Sequence, residues 1–299
     1  MNYYSEIKKE LINNEVNKKV KDYSKNKYEL ETYLRVGKLL IDAQGGEERA
    51  KYGDGLIKEY AEKLTKELGK GYTVSALKRM RKFYIIIQKG APLAHQLTWS
   101  HYCELLSLND INKINYYINI IVKYNDSKRK IRERIKSNEY ERLDGNTKLK
   151  IATKEELTIA DGIKHPIKIK NIYDTTDIKE VMLKKLILDN ISEFMEELGN
   201  GFCFIKSEYK IKMGDSFNYI DLLLFNIEFN CYVVIELKVT ELKKEHIGQI
   251  STYMNYIDSN VKKIYQDKTI GIIIAKKDNK YVMEYCSDPR IYRTTYILV

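Results

Sequence analysis

The sequence has few of the residues that build covalent or metal-held scaffolds. Its four cysteines and four histidines are scattered through 299 residues, and no two cysteines form a CxxC pair. This spacing argues against a zinc site and a disulfide framework, so we expect reduced thiols and a cytoplasmic protein. Long uncharged apolar runs are also absent, and the first residues, MNYYSEIKKELINNEV, contain no apolar core. We therefore expect neither membrane spanning nor secretion.

Acidic residues are too few to balance the basic ones. The chain has 52 lysines and arginines against 42 aspartates and glutamates, which gives a formal net charge of +10. A basic surplus favours a polyanionic partner, most simply nucleic acid. A compositional bias towards lysine, asparagine, isoleucine and tyrosine would give the same surplus without such a partner, so charge alone does not decide.

Proline is scarce, and its scarcity helps to place the domains. Only Pro92 interrupts the first 143 residues, which show long stretches of 3.6-residue apolar periodicity. We predict a helical domain over residues 1–150. The following segment contains glycines, a proline and little helical period, so we predict a linker over residues 151–177. Residues 178–299 then form a second domain.

The second domain shows a mixture of helical and strand-like segments. A helical pattern, EVMLKKLILDNISEFMEELGNG, precedes three strand-like runs, FCFIKSEYKIKM, SFNYIDLLLFN and CYVVIELKV. A helix over ELKKEHIGQISTYMNYIDS, a strand over KTIGIIIAKK and a further strand over KYVMEYCS follow. The order predicts a mixed α/β domain.

Three charges interrupt the apolar strands in YIDLLLFNIEFNCYVVIELKV, and hairpin geometry brings them together. A turn centred on Glu228 and Phe229 pairs residues whose numbers sum to 457, which places Asp221 opposite Glu236 with Cβ atoms about 5 Å apart. Lys238 lies two residues beyond Glu236 and so shares its face, whereas Leu237 points to the other side.

Two carboxylates this close repel each other unless a proton or a cation lies between them. Oxygen ligands suit Mg²⁺ or Mn²⁺, and a neighbouring lysine can orient water and stabilise charge on a phosphate. The alternative is a half-buried salt bridge on a solvated face. Apolar residues on both faces of these strands favour a sheet covered on each side, and therefore the first interpretation.

The first domain contains a helix-turn-helix pattern over LIKEYAEKLTKELGKGYTVSALKRMRKFY. Gly69 and Gly71 permit the turn, and Thr73 or Ser75 can cap the second helix. Basic side chains cover one side of that second helix and are candidates for DNA contact: Lys78, Arg79, Arg81 and Lys82. The alternative is an amphipathic helix with a solvated basic side. A second basic segment, SKRKIRERIK, adds Arg129 and Arg132 as candidates.

These segments resemble a known family. Asp221 followed by Glu236-Leu237-Lys238 resembles the D…ExK signature of the PD-(D/E)xK nuclease superfamily, and the wider sequence from about Leu34 to Ser287 resembles its YhcG-like family. The resemblance implies an all-α, winged-helix-like N-terminal domain and a restriction-endonuclease-like αβββαβ domain. It also implies Asp221, Glu236 and the Leu237 carbonyl as metal ligands, with Lys238 as the catalytic lysine. Gln249, on the next helix, would assist.

One position departs from the family pattern. Many members carry an acidic residue on the first core helix, where this chain has Lys184-Lys185. Glu180, Glu193 and Glu197 are the candidates to replace it.

We therefore predict a Mg²⁺- or Mn²⁺-dependent DNA endonuclease that acts on duplex or branched DNA, in restriction, defence or repair. A homodimer is compatible with this prediction. The alternative is a DNA-binding regulatory or defence-system subunit with an inactive nuclease fold.

Overall fold

In the computed structural model, which describes residues 2–19, 25–46, 54–173 and 177–299, a helical unit ends at Tyr140 and a mixed α/β unit begins at Glu141. This boundary is earlier than the predicted one at residue 150. Segment 151–177, predicted to be a linker, contributes a strand to the second unit's sheet. Arg142 fixes the start of that unit, since its guanidinium donates to Glu197 and to the carbonyl of Pro166.

The N-terminal unit is built from seven helices in its described residues. They are α1 (Tyr3–Lys19), α2 (Lys25–Ala43), α3 (Asp54–Leu68), α4 (Val74–Gln88), α5 (Trp99–Leu105), α6 (Ile111–Tyr124) and α7 (Lys128–Lys136). No strand occurs among residues 2–19, 25–46 and 54–140, so the β-wing of a winged helix is not found there. The unit is all-α, as predicted.

The predicted helix-turn-helix corresponds to α3 and α4. Gly69 and Gly71 adopt positive φ angles of 92° and 131° in the turn, which glycine tolerates without steric cost. Thr73 caps α4 by accepting a hydrogen bond from the Ala76 amide. Helix α2 crosses α4 closely, since a Cβ on Gly37 would lie 2.3 Å from the carbonyl oxygen of Met80.

The C-terminal unit is a six-stranded mixed sheet with helices. Its helices are α8 (Gly145–Thr153), α9 (Glu180–Asp189), α10 (Ile191–Leu198), α11 (Lys244–Asn260) and α12 (Lys280–Glu284). Its strands are β1 (Ile167–Ile169), β2 (Phe202–Met213), β3 (Ser216–Asn226), β4 (Cys231–Glu241), β5 (Asp267–Lys277) and β6 (Ile291–Leu298). The spatial order is β1-β6-β5-β4-β3-β2, with β2, β3 and β4 antiparallel and the remaining pairs parallel.

Two predicted elements differ from the structure. The single helix expected before the strands is divided at Asn190, whose φ of −127° separates α9 from α10. The strand predicted over KYVMEYCS was wrong, because Asn279 caps a helical turn there by accepting from the Val282 amide. The closing strand is β6.

Apolar clusters cover both faces of the sheet, as predicted. Leu222, Ile235 and Leu237 pack in the cluster that contains residues of α9 and α10. Leu223 and Val234 pack in the opposite cluster with residues of α11. The alternation follows the two-residue period of a strand. Within the described part of the chain, no helix has the length and apolarity needed to cross a membrane.

Candidate active site

The β3–β4 hairpin has the predicted register. Paired residues run from Asn226 with Cys231 to Leu222 with Ile235, and each pair sums to 457. The Asn226 side chain fixes the turn by accepting hydrogen bonds from the amides of Glu228 and Phe229. The hairpin therefore brings Asp221 and Glu236 to the same end of the sheet.

The two strands separate at Asp221, which the register alone did not show. The backbone ladder ends at Leu222 and Ile235. The Asp221 carboxylate then takes the place of a backbone acceptor, because its Oδ2 accepts a 2.9 Å hydrogen bond from the Leu237 amide. Its Oδ1 is directed to a different partner.

Glu236 is a buried carboxylate with one unpartnered oxygen. Its Oε1 lies 2.8 Å from the Lys238 ammonium, while Oε2 has no hydrogen-bond partner among the described residues. Burial, and then the charge of Asp221, raise the pKa of Glu236 to about 7. Burial by itself would lower the pKa of Lys238, but hydrogen bonding and attraction to Glu236 raise it overall. Lys238 is therefore an ammonium group.

Lys184 provides a second ammonium group. Its Nζ lies 2.6 Å from Asp221 Oδ1 and also pairs with Glu208 on β2. The side chain is 15% exposed. Burial works to lower the pKa of Lys184, and the hydrogen bonds to Asp221 and Glu208 raise it overall. Lys184, which lies where we expected an acidic residue from the family resemblance, is thus a cation paired with Asp221.

Only one of the three candidate acids has a described ion pair within the site. Glu180, in the first turn of α9, lies 3.8 Å from the Lys238 ammonium. Glu193 pairs with Lys170 at 3.9 Å. Glu197 binds the buried guanidinium of Arg142 and accepts from the Lys168 amide, so it stabilises the start of the unit instead.

Helix α11 contributes two residues of interest. Gln249 is half-buried and donates a 3.0 Å hydrogen bond to the Tyr253 hydroxyl on its own helix. His246 was not a sequence candidate. It is buried in the first turn of α11, where burial and then the charge of Lys238 lower its pKa. The sequence signal that could have identified His246 was its position at the start of the helix that follows β4.

The donor set suits one small divalent cation. Asp221 and Glu236 supply two carboxylates, and Mg²⁺ usually binds one or two in proteins. The buried, unpartnered Oε2 of Glu236 is an acceptor that a cation would satisfy. Among the described residues, no group of three or more His, Cys, Asp or Glu side chains is placed to hold a metal. The Lys184 ammonium already pairs with one of the two carboxylates.

In the N-terminal unit, most of the candidate basic residues on α4 share one surface. Lys78, Arg79 and Lys82 line an open depression of about 600 Å³. Arg81 is directed to the turn that follows α2, where it donates to Gln44. The buried side of α4 is apolar, which fits a DNA-contacting helix and a solvated amphipathic helix equally well.

The two candidate arginines of α7 form intramolecular ion pairs. Arg132 makes two hydrogen bonds to Glu104, at 3.0 and 2.7 Å. Arg129 pairs with Glu133 at 3.0 Å. Internal acids therefore offset both charges, and α7 is a weaker candidate for phosphate contact than α4.

Comparisons with known proteins cover nearly the whole chain. Residues 160–295 match the family model of the YhcG PDDEXK nuclease domain, and residues 6–142 match the DUF1016 N-terminal domain. A curated protein of Escherichia coli (strain K12), named "Putative nuclease YhcG", is 25% identical over 288 residues. The alignment covers 82% of this chain and 76% of that protein.

Solved structures align with a smaller part of the chain. A repair endonuclease from Pyrococcus abyssi aligns with a TM-score of 0.29 and 18% identity, over 41% of this chain and 49% of that one. The EndoMS–dsDNA2 complex aligns with a TM-score of 0.31 and 20% identity, over 42% and 48%. The aligned part spans about half the length of each of these structures.

Proposed function

Since residues 160–295 belong to the YhcG PDDEXK nuclease domain family and residues 6–142 to the DUF1016 N-terminal domain family, we propose that this protein is a Mg²⁺- or Mn²⁺-dependent DNA endonuclease. The observation that carries the proposal is the buried Glu236 carboxylate. Its unpartnered oxygen lies in one site with Asp221 and the Lys238 ammonium. Most buried polar groups have a hydrogen-bond partner, so this oxygen is a position where a bound cation would supply one.

Each residue of the cluster has a distinct role in this proposal. Asp221, Glu236 and the Leu237 carbonyl would hold the cation, which when bound would polarise a phosphoryl oxygen and acidify water. Lys238 keeps its proton and places positive charge where negative charge grows on the phosphate. Gln249 would help to position the substrate.

Removal of the cation tests the proposal directly. We expect the purified protein to cleave plasmid, duplex or branched DNA with Mg²⁺ or Mn²⁺, and we expect EDTA to stop the reaction. Glu236→Gln keeps the size of the side chain but loses the charge, so this variant should be inactive while melting at a similar temperature. Equal residual cleavage by wild type and Glu236→Gln on all three substrates would contradict the proposal.

Helix α4 is the proposed DNA-contacting element of the N-terminal unit. Arg79 is exposed, and it lines the same depression as Lys78 and Lys82. Phosphate contacts of this kind should make binding strongly salt-dependent. Arg129 and Arg132 would add a smaller contribution, because each is paired with an acid.

A pair of arginine variants tests this assignment. Arg79→Ala should weaken DNA binding and lower the slope of log affinity against log salt by about 1. Arg132→Ala removes the same charge and should change that slope less. The measurement is fluorescence anisotropy at several salt concentrations in EDTA. A larger loss in Arg132→Ala than in Arg79→Ala would assign the contact to α7.

The alternative, a DNA-binding subunit with an inactive nuclease fold, is favoured by one observation, the ion pair between Lys184 and Asp221. It predicts salt-dependent DNA binding without cleavage.

A further inference from the structure

The β2–β3 hairpin extends beyond the rest of the sheet, beginning at the candidate site. Strand β3 pairs with β4 only as far as Leu222, whereas β2 and β3 continue to the pair Met213 and Ser216. Residues 209–220 therefore form a two-stranded extension that β4 does not cover. Asp221 lies at its base.

One face of the extension is buried against the sheet's own core. Tyr209, Ile211 and Ile220 pack in the apolar cluster that contains Tyr253 of α11. This packing holds the extension in place.

The opposite face carries two lysines and two exposed aromatic rings. Lys210 pairs across the strands with Tyr219, and Lys212 pairs with Phe217. The Lys210 ammonium lies 3.7 Å from the centre of the Phe217 ring, so these side chains share one face. Phe217 is 53% exposed and Tyr219 is 48% exposed. We call Lys210, Lys212, Phe217 and Tyr219 the hairpin face.

The register of β2 and β3 places the hairpin face next to the candidate site. The pair Tyr209 and Ile220 places Glu208 opposite Asp221, and Lys184 pairs with both carboxylates. Asp221 follows Tyr219 by two residues, a distance of about 7 Å along a strand. A chain of nucleotides on the hairpin face would therefore reach Asp221 within one or two phosphates.

The chemistry of the hairpin face suits unpaired nucleotides. Exposed aromatic rings stack on the faces of bases, and lysines contact phosphates; together they form the usual platform for single strands. A duplex keeps its base faces stacked inside, so it offers phosphates to the lysines but nothing to the rings. Positive charge beside the rings argues for a polyanion over an apolar protein segment.

We propose that the hairpin face binds unpaired nucleotides beside the scissile phosphate, so that the preferred substrate is DNA with a single-stranded segment, such as a branch or a flap. This inference rests on the proposed nuclease function and specifies its substrate class. The bound strand runs across Phe217 and Tyr219 towards Asp221.

The test compares single-stranded and duplex DNA in EDTA, where no cleavage occurs. In the full-length protein, Phe217→Ala combined with Tyr219→Ala should weaken binding of a labelled oligo-dT by about 10-fold or more, because stacking on two rings is lost. Binding of a duplex of equal length should change less than about twofold. Tyr281→Ala combined with Tyr285→Ala is the matched control, since these tyrosines are 77% and 82% exposed elsewhere in the unit. This control should bind like wild type.

Two further measurements separate stacking from loss of structure. Phe217→Trp should retain oligo-dT binding, and the emission of its new indole should be quenched by the oligonucleotide. Lys210→Ala combined with Lys212→Ala should lower the salt slope for single strands by about 1.4, which corresponds to two phosphate contacts. Unchanged oligo-dT affinity in the aromatic double variant, together with no quenching in Phe217→Trp, would overturn the inference.

Three other results would each contradict a different part of the two proposals. A dimer of the wild type that the aromatic double variant abolishes would show that a second copy of the chain covers the hairpin face. Efficient cleavage of blunt duplex, with no preference for branches, would refute the substrate class while leaving the nuclease function intact. Oligo-dT binding by the hairpin face without any metal-dependent cleavage would refute the nuclease function and leave the binding surface.

Discussion

Lys238→Ala is expected to cleave DNA about 10²- to 10³-fold more slowly than wild type while keeping its fold. The Lys238 ammonium lies 2.8 Å from Glu236. In the proposed function it supplies the positive charge that meets the phosphate as negative charge develops. Loss of one such preorganised group in a water-poor site typically costs this factor. The measurement is the single-turnover rate at saturating Mn²⁺, with the melting temperature followed in parallel.

Lys185 provides a control for the loss of a positive charge. Lys185 is exposed on α9, so Lys185→Ala removes the same charge without entering the site and should cleave like wild type. Lys238→Arg keeps the charge on a bulkier group and should recover part of the rate. Cleavage by Lys238→Ala at the wild-type rate would show that the cluster is not the reacting centre.

Lys184→Ala is expected to bind Mn²⁺ about 10-fold or more tightly than wild type. The Lys184 ammonium lies 2.6 Å from Asp221 Oδ1 and competes there with any cation. Two like unit charges about 4 Å apart repel by about 1 kcal/mol in bulk water and by about 4 kcal/mol near a protein surface. Removal of the Lys184 charge should therefore strengthen cation binding substantially. Isothermal titration calorimetry of the DNA-free protein measures the dissociation constant directly.

Two variants define what this result means. Lys185→Ala should bind Mn²⁺ like wild type, and Asp221→Asn in the Lys184→Ala background should bind it weakly. If wild type binds no Mn²⁺ and Lys184→Ala does, the Lys184 ammonium prevents metal binding in the natural protein. That result would favour the inactive-fold alternative. If neither protein binds Mn²⁺, Asp221 and Glu236 are not a metal pair.

The hairpin could be predicted from the sequence because it is local. Its register depends only on the turn after Asn226 and on strict alternation along β3 and β4, so the pairing of Leu222 with Ile235 was correct. The separation of the strands at Asp221 was not predictable, because it depends on a side chain replacing a backbone acceptor. The strand predicted after Asn279 was wrong for a similar reason, because the Asn279 side chain caps a helical turn in a segment of β-prone composition.

Contacts between distant elements were the least predictable part. That a lysine replaced the expected acid on the first core helix was visible in the sequence, but the partner of Lys184 depends on how α9 lies over the end of β3. The choice among Glu180, Glu193 and Glu197 required the same knowledge. The exposure of Phe217 follows from where β4 stops covering its neighbour, which no periodicity encodes.

The hydrogen bond from the Leu237 amide to Asp221 gives this aspartate an architectural duty that does not depend on catalysis. An aspartate that supports the sheet in this way is by itself a weak sign of catalytic competence. Glu236 has no comparable architectural duty for its second oxygen, so its loss or retention is the more informative sign when active and silent relatives are sorted.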